Sequence, residues 1–263
     1  MEAIVVALGP IADRVVVEIG PGRGAITDLL AARAGRLLAI EFDPALAATL
    51  RERYAAKTNV AIHFGDVLEF DFVAAAREAE QSLIVVGNLP YYITSPILLH
   101  LAEAATVPTL DWPALDAAVL MVQREVADRV TAGPGSRDYG LLTVLCALHG
   151  TATPLFTLPP EAFSPPPMVH STVFRWSFSP RIAEIGLHTA SERERFSLLL
   201  RVAFAQKRKT LANNLRAAEF ETDRISAALA AASIPPQARA EQLSLDQFAA
   251  LHHALNKARG TAE

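Results

Sequence analysis

Short apolar runs recur through the first half of the chain, at Val15–Ile19, Arg36–Ile40, Val60–Phe64, Leu83–Val86 and Ala117–Val122. Runs of this length, rich in Val, Ile and Leu, read as strands buried on both faces. Between them, apolar positions fall at helical spacing over stretches of roughly ten or more residues. Such alternation implies a parallel sheet wrapped by helices. Helices are expected at Gly24–Ala34, Pro44–Arg53, Ser95–Ala105 and Glu125–Thr131, with Pro44 and Pro96 in first turns, where a missing amide costs little. Leu141–Leu148 and Val169–Trp176 read as an antiparallel pair closing a mostly parallel, seven-stranded, Rossmann-like α/β sheet.

After Ser179-Pro180 the strand pattern stops and helical patterns follow. Ser191 with Glu194, and Ser244 with Gln247, have the spacing of capping boxes. Pro235-Pro236 separates a helix over Ile225–Ala232 from the last one. The expected division is therefore an α/β domain over 1–178 and a small all-helical domain over 179–263. A length of 263 residues accommodates one large and one small domain.

Composition narrows the class. With 51% hydrophobic and 20% charged residues the chain can build packed cores. Gln81–Ala102 and Tyr139–Pro160 lack Asp, Glu, Lys and Arg, but Pro90 and Pro96 interrupt the first and Pro154, Pro159 and Pro160 the second, so neither reads as a membrane span. No basic region precedes Ile4–Leu8, so a cytoplasmic location is expected. The single cysteine, Cys146, reads as a small buried hydrophobe, and Met121 and Phe178 as packing residues. The seven histidines show no metal-ligand spacing, and no metal site is expected. Net charge is −4, unevenly distributed: residues 1–177 balance to −7 and residues 178–263 to +3.

Two segments carry chemistry. Glu18-Ile19-Gly20-Pro21-Gly22-Arg23-Gly24 follows the first strand and opens a helix. Glycines at alternate positions allow a sharp turn and close approach of backbone to a ligand. The third glycine comes one residue too early for the dinucleotide fingerprint, and a pyrophosphate would not favour the acidic neighbour. Glu18 suits a cationic ligand, and Glu41, closing the second strand, is placed to accept from ribose hydroxyls. Together these favour S-adenosylmethionine over NAD, with Gly20 and Gly22 in the cradle and Asp66 able to accept from an adenine amine.

The second segment, Gly87-Asn88-Leu89-Pro90-Tyr91-Tyr92, follows the fourth strand. Methylating an exocyclic adenine amine requires drawing its lone pair out of ring conjugation, which acceptors aimed at the two amine hydrogens accomplish. The Asn88 side-chain oxygen and the Leu89 carbonyl are candidates; Pro90 fixes the turn, and Tyr91 can stack on the base.

In this order, the glycine loop, Glu41, Gly65-Asp66 and Asn88-Leu89-Pro90-Tyr91 resemble the adenine-N6 methyltransferases of the class I fold. Gln123–Arg129, Ala132–Ser136, Phe163–Pro167, Phe204–Leu211 and Arg239–Ser244 are similar to segments of the bacterial small-subunit ribosomal RNA adenine dimethyltransferases, so the resemblance runs through nearly the whole chain. It implies that Gly20, Glu41, Asp66 and Asn88 touch S-adenosylmethionine, and that Asn88, Leu89 and Tyr91 hold the target adenine with Phe163 nearby. It implies transfer of methyl groups to N6 of two adjacent adenosines in a hairpin near the 3′ end of 16S rRNA, within a pre-ribosomal 30S particle, by a monomer. Members of that family carry a basic amino-terminal segment with a Gly-Gln-Asn/His-Phe-Leu motif that covers the cofactor. Met1–Ile4 match only the end of the helix following it, and a misplaced translation start is the expectation.

Lys207-Arg208-Lys209, the densest basic cluster, reads either as a solvated helix face or as an RNA phosphate contact. The resemblance and the charge asymmetry favour the second. Two rival functions remain at this level: a catalytically weak rRNA-binding assembly factor, and a methyltransferase acting on large-subunit rRNA or DNA adenine.

Overall fold

A computed structural model of the chain describes residues 1–107, 112–163 and 166–257. The elements run α1 (Glu2–Val6), β1 (Val15–Ile19), α2 (Thr27–Arg33), β2 (Arg36–Glu41), α3 (Pro44–Arg53), β3 (Val60–Phe64), α4 (Phe72–Ala79), β4 (Leu83–Asn88), α5 (Thr94–Ala104), β5 (Leu115–Gln123), α6 (Arg124–Val130), α7 (Leu141–His149), β6 (Gly150–Leu158), β7 (Ser171–Phe178), α8 (Ala190–Ala203), α9 (Leu211–Ala217), α10 (Thr222–Ala231) and α11 (Leu245–Lys257). One seven-stranded sheet has the order β3-β2-β1-β4-β5-β7-β6. Its first five strands are parallel, and β7 lies antiparallel between β5 and β6.

The residues explain the layering. Val16, Val17, Val85, Val86 and Ala117–Leu120 are wholly buried, as central strands covered on both faces require. At the margin, β3 is half exposed and ends in the exposed Phe64. Pro154 sits on the other edge strand, β6, where the register shifts, the setting in which a sheet tolerates a residue without an amide hydrogen. The order β2-β1-β4 makes β1 and β4 neighbours, with Ile19 opposite Gly87. Connections leave in opposite directions from this pair, which opens a crevice at the strands' carboxyl ends.

Two expectations from sequence are corrected. Leu141–Leu148 is helical, and the closing strand is Gly150–Leu158. A run of eight residues that is apolar except for Thr143 satisfies either period, so burial alone does not separate strand from helix. The capping box of α8 belongs to Thr189 and Glu192, not Ser191 and Glu194: the Glu192 amide donates to Thr189 Oγ1 at 3.2 Å, and Glu192 Oε2 accepts from the Thr189 amide at 2.8 Å. For α11 the Ser244–Gln247 box is present, with reciprocal bonds of 3.0 and 3.2 Å.

The chain forms two compact units, Met1–Ala127 with His149–Ser179, and Asp128–Leu148 with Pro180–Glu263. The last crossing between the units falls at Ser179/Pro180. A continuous division at 178 nevertheless misassigns 128–148, because Tyr139, Val144 and Leu148 pack into the helical unit's core with Phe196, Leu200, Leu211 and Phe248. No helix of the described residues is long and apolar enough to cross a membrane.

Candidate functional site

The glycine loop leaves β1 at its carboxyl end. Gly20, Gly22 and Gly24 adopt φ of +67°, +57° and +83°, a region that side-chain-bearing residues enter only at a cost. Glu41 at the end of β2 organises the loop: Oε2 accepts from the Gly22 amide at 2.9 Å and Oε1 from the Asp43 amide at 2.9 Å. Each oxygen keeps a further lone pair for a ligand hydroxyl. Arg53 on α3 donates to the Arg23 carbonyl at 3.1 Å and pairs with Asp28 on α2, which also accepts from the Tyr54 hydroxyl at 2.6 Å. The loop is thereby fastened from two neighbouring elements.

Beside it lies a cleft of about 450 Å³ lined by Ile19, Gly20, Ile40, Glu41, Asp66, Tyr92 and others, within the size range of small-molecule and cofactor sites. Asp66 is half-buried and spends Oδ1 on the Leu68 amide at 2.9 Å. Phe42 and Tyr92, 69% and 82% exposed, also line the cleft. Sequence reasoning gave neither a role. Glu18 is buried at 2% exposure, and its Oε2 has no hydrogen-bond partner among the described residues. Burial, with repulsion from Glu41 and Asp28, pushes its carboxyl up to about 7.

The Asn88 segment stands on the neighbouring strand. Gly87 is required there, since a Cβ would lie 2.9 Å from the Ile19 carbonyl oxygen. The Asn88 side chain is exposed at the end of β4, while the Leu89 side chain is buried and its amide donates to the Met121 carbonyl at 3.0 Å. Pro90 accepts at its carbonyl from the Ile93 amide and the Thr94 hydroxyl, at 3.2 and 2.9 Å. Among the described residues, neither the Asn88 carboxamide nor the Leu89 carbonyl is engaged by another group, so both acceptors are available. Tyr91 is 39% exposed, and its hydroxyl lies 3.2 Å from Ser171 Oγ at the start of β7. Ser171 is paired with Leu158 at the end of β6. Phe163, just beyond β6, is half-buried and packs against the core cluster containing Met121 and Val173.

Gly20, Glu41 and Asp66 thus line one cleft, and Gly22 joins it through Glu41. Asn88 is adjacent: a Cβ on Gly20 would lie 3.9 Å from its carbonyl oxygen. Lys207, Arg208 and Lys209 lie in the other unit, exposed on the connection between α8 and α9. That connection is a turn, not a helix face, held by buried Asn214, whose Nδ2 donates to the Ala203 and Gln206 carbonyls at 2.6 and 3.3 Å.

A family model described as ribosomal RNA adenine dimethylase matches residues 1–257. The chain belongs to that family. A ribosomal RNA small subunit methyltransferase A of Acidobacterium capsulatum is 55% identical over 253 residues, covering 96% of this chain and 85% of the relative. One of Koribacter versatilis is 46% identical over 265 residues, covering 97% and 89%. Among solved structures, the 23S rRNA methyltransferase ErmE superposes with a TM-score of 0.69 at 25% identity, covering 97% of this dimethylase-family chain and 96% of its own. A dimethyladenosine transferase from Plasmodium falciparum reaches a TM-score of 0.77 at 24% identity over 97% and 94%, a likeness of fold.

Proposed function

We propose that the protein transfers methyl groups from S-adenosylmethionine to N6 of two adjacent adenosines in a hairpin near the 3′ end of small-subunit rRNA, acting in the cytoplasm on a pre-ribosomal 30S particle. The observation carrying this reading is the meeting, at the β1–β4 crevice, of a glycine-lined cleft with an Asn-Leu-Pro-Tyr segment whose two acceptors are unspent. The identities of 55% and 46% to small-subunit methyltransferases, against 25% to a 23S enzyme, favour the small subunit as the source of substrate.

The cleft fits the cofactor in size and in the positive-φ glycine loop that borders it. Gly20, Glu41 and Asp66 would hold it, with Gly22 fixing the loop and Asn88 at the margin. When bound, S-adenosylmethionine supplies an electrophilic methyl group on a sulfonium. The Asn88 oxygen and Leu89 carbonyl accept from the adenine amine, localise its lone pair on N6 and stabilise the positive charge that develops there. Tyr91 stacks on the base, and Phe163 flanks it. Holding N6 in line removes much of the barrier, about 7–11 kcal/mol in well-oriented systems. The base must leave its stack to arrive, which favours an unpaired adenine. Arg208 and Lys209 supply positive charge toward the RNA backbone, with Lys207 beside them on the same turn.

Primer extension across rRNA from undermethylated small-subunit particles, incubated with the protein and S-adenosylmethionine, tests the reading. Stops at two adjacent adenosines near the 3′ end are expected. Stops confined to large-subunit rRNA, or no stops with a folded protein, would refute it.

A further inference from the structure

The segment Ala132–Ser136, singled out by its resemblance, plays no part in the site above. The structure places it in the helical unit, where three bonds pin its surroundings. The Gly135 amide donates to the Glu241 carbonyl at 2.7 Å, Lys207 Nζ donates to the Arg137 carbonyl at 2.7 Å, and the Tyr139 hydroxyl donates to the Leu243 carbonyl at 2.6 Å. The last bond is buried, and Tyr139 packs in the unit's core. A loop distant in sequence is therefore fastened beside the basic turn. Arg137, Arg208 and Lys209 are exposed, and none of the three side chains has a hydrogen-bond or ion-pair partner among the described residues. Nearby charges of opposite sign are the exposed Asp138 and the half-buried Glu241, the latter 4.0 Å from Arg239. Cations predominate.

We propose that Arg137 is a further RNA-phosphate contact, forming one surface with Arg208 and Lys209, and that Lys207 acts as a strut holding the Arg137 loop in place. This rests on the rRNA reading above. It divides the Lys-Arg-Lys cluster: Arg208 and Lys209 keep their charges free for phosphate, while Lys207 spends a donor on its neighbour's backbone. A guanidinium, with its planar fork of donors, is well matched to phosphate oxygens.

The test is the salt dependence of equilibrium binding to an unmethylated small-subunit rRNA transcript by the full chain. Arg137→Gln is expected to flatten the slope of log K against log salt by about 0.7–0.9, one contact's worth. Arg137→Lys should retain the slope, and thermal unfolding should show both variants folded. Lys207→Met should reproduce the Arg137→Gln loss and add nothing to it in the double variant. An unchanged slope in folded Arg137→Gln, beside a salt-dependent wild type, overturns the surface; a second full step in the double variant overturns the strut. Salt-independent or absent binding by the wild type overturns the rRNA reading itself, and the inference with it.

Discussion

Individual side chains in this protein are set to tasks that their exposure makes measurable. Glu18 shows the cost of placing a carboxylate at the buried strand end that precedes the glycine loop. Its unfolded carboxyl titrates near 4.5 and its folded one near 7. Between those values the folded state binds more protons than the unfolded one, so its contribution to stability is intact below 4.5 and is lost as pH rises through 7. Glu18→Gln should therefore gain stability relative to wild type at pH 8, by up to about 3 kcal/mol, and match it near pH 4. Denaturant unfolding at both pH values checks this; an equal difference at both would contradict it. Arg53 touches the Arg23 carbonyl and Asp28 but lies half exposed, so its worth is modest. Arg53→Met should raise KM for S-adenosylmethionine by up to about fivefold and leave kcat unchanged; a fall in kcat at constant KM would place Arg53 elsewhere in the mechanism. The acidic strand ends and the Asn88 segment were legible in the sequence because their chemistry is local. Tyr92 and Phe42 were not, since lining a cleft depends on neighbours brought together only by folding.

At the scale of elements, strands β1 and β3 and helix α3 have the residue bounds that hydrophobic pattern and proline placement predict. The two failures have separate causes. Where a run is apolar almost throughout, as Leu141–Leu148 is, the pattern records burial but not which period produces it. The start of α8 was misread because Thr189 and Ser191 both precede a glutamate by three residues, and only the backbone geometry selects between them. Thermal or urea unfolding distinguishes the two: Thr189→Ala should cost about 0.5–2 kcal/mol, whereas Ser191→Ala should be nearly neutral. Equal losses would contradict the observed cap.

For the whole molecule, the placing of residues 128–148 with the helical unit is the feature that no linear division of the sequence anticipates. It joins Arg137 to the basic turn, so the phosphate-binding surface we propose draws on both sides of the α/β segment in sequence. The α/β unit provides the crevice for chemistry, and the helical unit carries a basic excess suited to holding a large polyanion. Asn88, as an acceptor for the adenine amine, is the residue on which the proposed mechanism turns. Its direct test is single-turnover methylation of undermethylated small-subunit particles by Asn88→Ala at saturating S-adenosylmethionine, with cofactor affinity and thermal unfolding measured alongside. By analogy with the loss of one aimed dipole, the rate should fall by about 10²–10³. A folded variant that methylates at the wild-type rate would contradict it.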